Sequence, residues 1–149
     1  MKLLVVIGIC ALVSFTEARI QSVGVRGTLM CGKQPLSNTV VKLWDEDSGP
    51  DPDDVLGCVK TDSQGRFEVQ GSENEVSNID PVLKIYTNCN DRTLWGTLAK
   101  PCQRKIKMTI PDSYINSGTT VTNWFDAGVM NMELKQNDEE RKCSVFEIC

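Results

Sequence analysis

The stretch Thr61-Asp62-Ser63-Gln64-Gly65-Arg66-Phe67-Glu68-Val69 decides the fold, because it reads as a tight turn that leads into a β-strand. Asp62 can cap backbone amides at the start of the turn, and Gly65 accepts the positive φ that its end requires. Phe67 and Val69 are alternate residues, so their side chains point to one face of the strand. A turn followed by a strand with one apolar face is typical of an antiparallel sheet.

Short apolar alternations recur on both sides of this turn. They predict further strands over residues 22–31, 40–45, 55–61, 82–87, 105–110 and 128–134. Clusters of Pro, Gly, Asn and Asp separate these runs, and helical periodicity is nearly absent apart from a helical turn expected within residues 111–117. We therefore predict an all-β protein, an antiparallel β-sandwich of about seven strands around one core.

The N-terminal segment carries the features of a secretory signal peptide. Lys2 precedes an apolar run over residues 3–13, which is shorter than the roughly 20 residues that a membrane-spanning helix needs. Thr16 and Ala18 are small residues at the two positions that a signal peptidase reads. We expect residues 1–18 to be removed and residues 19–149 to form one extracellular domain, with a polar C-terminal tail from about residue 135.

The cysteines agree with an oxidising compartment. An even number of cysteines in a small secreted domain predicts disulfides, here three. The sequence favours one pairing on local grounds, because Cys89 and Cys102 bracket a turn-rich segment between two strand-like runs. The six cysteines beyond the signal peptide are Cys31, Cys58, Cys89, Cys102, Cys143 and Cys149.

Composition narrows the classes of function. The chain has 149 residues, no histidine and a formal net charge of −4. Without histidine, Ser–His and Cys–His hydrolases and histidine-ligated metal centres lose their central residue. The mild acidity is not that of a nucleic-acid binder. We therefore expect a protein that is not an enzyme and has no cofactor.

Two charged clusters are candidate recognition sites. The first is a dense acidic stretch, and its carboxylates are the kind of ligand that calcium prefers. Its alternative interpretation is a solvated loop that resists aggregation at a sheet edge. The stretch contains Asp45, Glu46, Asp47, Asp51, Asp53 and Asp54.

The second cluster is basic and consists of Lys100, Arg104, Lys105 and Lys107. If Ile106 points inward, Lys105 and Lys107 share the outer face of their strand, which gives a small positive patch for phosphate headgroups or an acidic partner. The alternative is an ordinary solvated strand face.

An aromatic pair, Trp124 and Phe125, is a third candidate. Exposed aromatic side chains in loops often anchor a binding partner. The alternative is that one of the two rings plugs an end of the sandwich.

The chain resembles the nematode transthyretin-like family over nearly all of the predicted mature protein. The resemblance begins with Ser22-Val23-Gly24-Val25-Arg26-Gly27-Thr28-Leu29-Met30-Cys31-Gly32. It continues, in the family's order, through Val41-Lys42-Leu43-Trp44-Asp45, residues 61–67, Ile79-Asp80-Pro81-Val82-Leu83-Lys84-Ile85-Tyr86, Cys89-Asn90-Asp91, Pro101-Cys102-Gln103-Arg104-Lys105 and Ile110-Pro111-Asp112-Ser113-Tyr114-Ile115.

This resemblance implies a secreted, disulfide-stapled β-sandwich similar to transthyretin. The family's four cysteines correspond to Cys31, Cys89, Cys102 and Cys143. The resemblance thus implies a bridge between the two additional cysteines, Cys58–Cys149, and a Cys31–Cys143 bridge beside Cys89–Cys102. Hydrolases related to transthyretin use histidines and a Tyr-Arg-Gly-Ser C-terminus, which this chain lacks, so their activity is not implied.

The resemblance also implies a role in extracellular recognition. Some members of the family bridge phosphatidylserine on dying cells to engulfment receptors. We therefore expect a secreted adaptor that contacts a cell-surface lipid or receptor, with peripheral membrane contact. Two alternatives stay open: a carrier of small hydrophobic ligands, in the manner of transthyretin, and a structural secreted protein without a discrete ligand.

Overall fold

The computed structural model describes residues 17–46, 52–91, 102–143 and 149, and there the chain forms two β-sheets. The first sheet is built around its long N-terminal strand, which pairs with four others. The second sheet has the order β10-β7-β6-β3-β4. The strands are β1 (Arg19–Cys31), β2 (Gln34–Pro35), β3 (Val40–Asp45), β4 (Asp54–Lys60), β5 (Arg66–Glu75), β6 (Pro81–Thr87), β7 (Gln103–Thr109), β8 (Asn116–Ser117), β9 (Phe125–Asn131) and β10 (Glu140–Lys142).

The predicted all-β sandwich is confirmed, with one difference in strand direction. β1 pairs antiparallel with β2, β5 and β8, but β9 runs parallel to it. Val25 faces Val69 of β5 on one edge and Phe125 of β9 on the other. β1 is therefore the central strand of its sheet.

Alternating side chains of both sheets meet in a single core. Burial of these apolar side chains is the main driving force for the fold. The core consists of Val23, Val25, Leu29, Val41, Leu43, Phe67, Val69, Ile79, Leu83, Ile85, Cys89, Ile106, Ile110 and Met132.

The turn that leads into β5 forms as its residue types predict. Asp62 Oδ1 accepts hydrogen bonds from the backbone amides of Gln64, at 2.8 Å, and Arg66, at 2.9 Å. The Arg66 amide is the largest cause that lowers the pKa of the Asp62 carboxyl. Gly65 has a φ of +74°, and a Cβ there would lie 2.3 Å from the carbonyl oxygen of Leu29. Glycine is therefore required at this position.

Two of the three expected disulfides are wrong. The structure joins Cys58 to Cys149, which is the pair that the resemblance implied. Cys89 and Cys102 do not pair, nor do Cys31 and Cys143. The bonds are instead Cys31–Cys89 and Cys102–Cys143.

Both corrections follow from β10, which lies in the segment expected to be a polar tail. β10 pairs antiparallel with β7 and places Lys142 opposite Gln103. The next two residues along this ladder are Cys143 and Cys102, so they meet. Cys89 is 5% exposed and belongs to the core. Its side chain therefore crosses to Cys31, at the end of β1 in the facing sheet.

Some of the remaining short elements were predicted from the sequence and others were not. A 3-10 turn at Asp112–Tyr114 follows Pro111 and lies within the predicted helical turn. β2 and β8 have two residues each, too few for an alternating pattern to be read. In the described ranges, no helix has the length and apolarity that crossing a membrane requires. β1 begins at Arg19, and residues 1–16 of the expected signal peptide lie outside the described ranges.

Candidate functional site

One end of the sandwich carries a polar cleft of about 480 Å³. It lies between the residues that follow β6, the start of β7 and the loop from β9 to β10. Charged and amide side chains line it: Asn90, Asp91, Arg104, Glu133, Lys135, Gln136, Asn137, Glu139 and Arg141.

Arg104 forms the floor of this cleft. Its side chain is 4% exposed, and Nη1 donates to the carbonyl oxygens of Cys89, at 2.7 Å, and Met132, at 2.6 Å. Nη2 donates to the carbonyl oxygen of Leu134 at 3.0 Å and to Glu139 Oε2 at 2.6 Å, and Nε also donates to the Glu139 carboxylate. Arg104 therefore fixes both ends of the β9–β10 loop against the second sheet.

This role corrects the expectation that Arg104 belongs to an exposed basic patch. On β7, Arg104 alternates with Lys105 and is in phase with Ile106, which is buried. Its side chain therefore points inward. A buried guanidinium needs acceptors for its donors, and backbone carbonyls together with one carboxylate supply them here.

A second ion pair closes the other wall of the cleft. Nη1 and Nη2 of Arg141 donate to the two carboxylate oxygens of Asp91 at 2.8 and 2.7 Å. Asp91 is 4% exposed. Nη2 also donates to the carbonyl oxygen of Cys102 at 2.7 Å. The hydrogen bond to Asp91 raises the pKa of Arg141 further, so this fork stays charged.

The backbone beside the cleft is held in restricted conformations. Asn131 Oδ1 accepts the amides of Gly32, at 3.0 Å, and Glu133, at 3.1 Å, which fixes the start of the loop. Asn90 and Cys102 have φ values of +51° and +71°. Left-handed backbone costs a residue with a Cβ roughly 1–2 kcal/mol. Such strain gathers at binding sites, where the surrounding structure maintains it.

The rim of the cleft offers groups that are not committed elsewhere. Among the described residues, none forms a hydrogen bond or ion pair with the side chains of Glu133, Lys135 or Asn137. Leu134 lies between two of them and is 65% exposed. The rim therefore combines a cation, an anion and an amide with one exposed apolar side chain. This combination suits a small group that carries both an ammonium and acidic oxygens and is attached to an apolar surface.

The predicted basic patch is neutralised where the structure describes it. Lys105 Nζ lies 2.7 Å from Glu140 Oε2, and Lys107 Nζ lies 2.8 Å from Glu46 Oε1. The hydrogen bond to Glu46 raises the pKa of Lys107. Lys100 lies outside the described residues. Lys105 and Lys107 do share the outer face of β7, but carboxylates pair with both.

Lys84, the most buried lysine of this face, was not among the predicted site residues. Its Nζ lies 2.6 Å from Glu46, 3.5 Å from Asp53 and 4.2 Å from the centre of the Trp44 ring. Burial opposes ionisation of Glu46, but the hydrogen bonds from Lys107 and Lys84 prevail and lower its pKa. Lys84 stands opposite Lys107 in the ladder between β6 and β7, a register that the sequence alone does not give.

The described carboxylates of the acidic stretch do not form one site, because they lie in different surroundings. Asp45 is fully buried, and its Oδ1 accepts the Asp80 amide at 2.6 Å. Asp53 faces Lys84, and Asp54 is exposed on β4. Asp47 and Asp51 lie outside the described residues. Within the described ranges, no group of three or more His, Cys, Asp or Glu side chains is placed to hold a metal ion.

The aromatic pair packs against the sandwich. A Cβ on Gly24 would lie 2.7 Å from the Trp124 ring, so glycine on β1 makes room for the indole. Phe125 meets Tyr114 edge-to-face, with ring centroids 4.9 Å apart. Phe125 also packs against the core. Both rings are half-buried, which favours a packing role.

Acid is expected to weaken the ion pair in the floor of the cleft. Hydrogen bonds from Arg104 are the largest cause that lowers the pKa of Glu139 from its ordinary value of 4.5. A carboxyl whose pKa is lower in the folded than in the unfolded state stabilises the fold at a pH above its unfolded-state pKa. This stabilisation is lost as the pH falls through the folded-state pKa. Glu139→Gln should therefore cost stability at pH 7 and less below pH 4.5. Urea unfolding at both pH values measures this difference.

Glu68→Gln is the matched control, because Glu68 is exposed and no ion pair with another described residue engages it. The free energy of unfolding of Glu68→Gln should equal that of the wild type at both pH values. An equal loss for Glu139→Gln at both pH values would contradict the assignment.

The comparison with family models and the comparison with known protein sequences agree on one family. The family model described as "Transthyretin-like family" matches residues 26–111. Transthyretin-like protein 46 of Caenorhabditis elegans is 47% identical over 136 residues, which cover 91% of this chain and 73% of that protein. Transthyretin-like protein 5 of the same organism is 45% identical over 143 residues, which cover 96% and 99%.

Among solved structures, a 9R-lipoxygenase from Cyanothece matches 78% of this chain and 17% of its own. The sequence identity is 21% and the TM-score 0.39. We draw nothing from this likeness.

Proposed function

Because this chain belongs to the transthyretin-like family, we propose that it is a secreted recognition protein that acts by binding and not by catalysis. The absence of histidine and the complete pairing of Arg104 support a non-catalytic role. A group whose donors are all engaged can position its neighbours but has none left for a reacting atom.

The polar cleft is the proposed binding site, and the headgroup of phosphatidylserine is its proposed ligand. That headgroup carries phosphate, ammonium and carboxylate groups close together. The rim of the cleft offers complementary charges in Lys135 and Glu133 beside the amide of Asn137. The proposed role is that of an adaptor on a cell surface, in which a second surface of the protein would meet a receptor.

One observation carries this proposal: Arg104 clamps a loop that presents Leu134 beside a polar cleft. Full burial of a leucine side chain contributes about 1.5–3 kcal/mol. A basic residue near an anionic membrane adds roughly 1 kcal/mol. Because the loop is already ordered, little of this free energy is spent on fixing it.

Vesicle co-sedimentation tests the proposal. The oxidised protein should sediment with phosphatidylserine vesicles and not with phosphatidylcholine vesicles. Leu134→Ser and Lys135→Gln should each reduce the bound fraction severalfold. We expect binding without calcium as well, because the described carboxylates Asp45 and Asp53 are engaged within the protein.

Val76→Ser is the control, because Val76 is 58% exposed and lies outside the cleft. It should bind as the wild type does. Equal sedimentation with both lipids, or undiminished binding by Leu134→Ser, would refute the lipid assignment. The carrier alternative gains no support from this cleft, because charged side chains line it.

A further inference from the structure

One disulfide lies beside the polar cleft, and its surroundings differ from those of the other two. Cys102 directly precedes β7, and Cys143 directly follows β10. Their bond therefore lies at the end of the ladder in which β10 pairs with β7. The segment that this bond fastens contributes Glu139 and Arg141 to the lining of the cleft. The bond thus helps to hold two charged groups of the cleft in place.

A reductant can reach this bond more easily than the bond in the core. Cys143 is exposed and Cys102 is half-buried, so a thiolate can approach the Cys143 sulfur. Cys89 is 5% exposed and belongs to the core, which shields its bond with Cys31. Because thiol–disulfide exchange requires direct attack on a sulfur atom, access distinguishes these two bonds.

The backbone at Cys102 favours opening of its bond. Cys102 has a φ of +71°, whereas Cys58 and Cys149, the partners in the third disulfide, do not have a positive φ. Left-handed backbone destabilises a residue that carries a Cβ, and the bond to Cys143 helps to maintain this conformation. Relaxation of Cys102 after reduction shifts the exchange equilibrium by about tenfold. Cys102–Cys143 should therefore open before Cys58–Cys149, although Cys149 is also exposed.

A cation lies beside the group that leaves when this bond is attacked. Arg141 Nη2 donates to the carbonyl oxygen of Cys102 at 2.7 Å, which places the guanidinium next to that residue. Attack on the Cys143 sulfur expels Cys102 as a thiolate, and a neighbouring positive charge stabilises a thiolate. Because a thiol of lower pKa leaves faster, Arg141 should speed the exchange.

We propose that Cys102–Cys143 is a redox switch of the polar cleft, which a dithiol reductant opens while the other two disulfides stay closed. One thiolate of the reductant attacks the Cys143 sulfur, breaks its bond to Cys102 and forms a mixed disulfide. The second thiolate of the reductant attacks the reductant's own bonded sulfur, which closes the reductant's disulfide and releases Cys143. Two electrons and two protons pass from the dithiol to the protein, which gains two thiols.

Opening this bond loosens β10. All three residues of β10 are exposed, so no buried apolar side chain holds the strand. Glu140 and Lys105 form an ion pair in which Glu140 is 60% exposed, and such pairs contribute little. The fork of Arg141 on Asp91 remains, but its geometry depends on the position of β10. We expect β10 to separate from β7 more often, which takes the wall of the cleft out of place.

The switch is reversible. Cys149 stays bonded to Cys58, so the C-terminal end of the segment remains tied to β4 while Cys143 is free. An oxidised dithiol can close the bond again by the reverse exchange. The effect of the switch on lipid binding depends on the proposed function of the polar cleft, whereas the order of reduction and the loosening of β10 do not.

Graded reduction of the wild type tests the order of opening. The oxidised protein is equilibrated with dithiothreitol at increasing ratios of its reduced to its oxidised form, free thiols are blocked with iodoacetamide, and the peptides are mapped. Cys102 and Cys143 should be labelled at a ratio about tenfold lower than the other cysteines require. Labelling of any other disulfide cysteine at the same or a lower ratio would overturn the proposal.

Hydrogen exchange in two double variants tests the loosening of β10. Cys102→Ser with Cys143→Ser imitates the open state, and its β10 amides should exchange severalfold faster than those of the oxidised wild type. Cys58→Ser with Cys149→Ser is the matched control and should leave these amides unchanged. Unchanged exchange in the first variant would show that the bond does not hold β10. If that variant fails to fold by circular dichroism, hydrogen exchange of the selectively reduced wild type measures the same effect.

Vesicle co-sedimentation then connects the switch to the cleft. The open-state variant should bind phosphatidylserine vesicles severalfold less than the oxidised wild type, and the control variant should bind as the wild type does. Equal binding by the open-state variant would refute control of the cleft by this bond. Absence of binding by the oxidised wild type would refute the proposed function instead, and the labelling and exchange experiments would still decide whether the switch exists.

Discussion

Replacing Arg104 by methionine is expected to lower the free energy of unfolding by about 3–5 kcal/mol, the usual cost of removing one partner from a buried ion pair. The variant leaves Glu139 without its cation and leaves the carbonyl oxygens of Cys89 and Met132 without donors. Each unsatisfied buried acceptor adds to the loss. Urea unfolding, followed by far-UV circular dichroism at pH 7, measures the change.

Two further variants distinguish the contribution of the guanidinium hydrogen bonds of Arg104 from that of its positive charge. Arg104→Lys keeps the charge, but the lysine ammonium cannot reach all these acceptors. The loss of unfolding free energy for Arg104→Lys should therefore be more than half of the loss for Arg104→Met. Arg26→Met removes an exposed arginine whose surface ion pair contributes little, and its stability should change by less than about 1 kcal/mol. Similar stabilities for Arg104→Met and Arg26→Met would show that Arg104 does not hold the loop.

Removing the bond between Cys31 and Cys89, by changing both residues to serine, should cost about 2–5 kcal/mol. The bond joins the two sheets across 58 residues of sequence, and Cys89 lies in the core. Its loss frees the unfolded chain and also places a hydroxyl in an apolar environment. Thermal unfolding of the double variant, compared with the oxidised wild type, measures the effect.

The matched control changes Cys58 and Cys149 to serine, which places no hydroxyl in the core because neither residue belongs to it. This variant should keep the two sheets joined and lose less stability. Peptide mapping of the oxidised protein should recover Cys31 linked to Cys89. A fragment that links Cys89 to Cys102 would contradict the structure.

The sheets were predictable because their strands are long enough to show alternation. Val41 and Leu43 on β3, or Phe67 and Val69 on β5, reveal a buried face within a few residues. β10 has three exposed residues, Glu140, Arg141 and Lys142, and carries no such pattern. Because β10 places Cys143 beside Cys102, missing this strand produced both wrong disulfides.

The candidate site was less predictable, because its parts come from distant segments and are defined by burial. Arg104 and Lys107 look alike in a list of basic residues. One is nearly inaccessible and the other faces outward. Which neighbour each would meet depends on register, as Glu139 and Glu46 show. The loop with Leu134 carries no motif, and its contacts with Arg104, Asn131 and Asn90 distinguish it.

The central position of β1 also constrains how the chain folds during its synthesis. Val25 pairs with Phe125, so the strand made first waits for a neighbour that is 100 residues away. At about 5–20 residues per second, that neighbour emerges roughly 5–20 s later. Until β8 and β9 emerge, the edge of β1 opposite β5 has no partner among the described strands. The first sheet is therefore completed only after nearly the whole chain has been translated, and contacts this distant in sequence slow the final step.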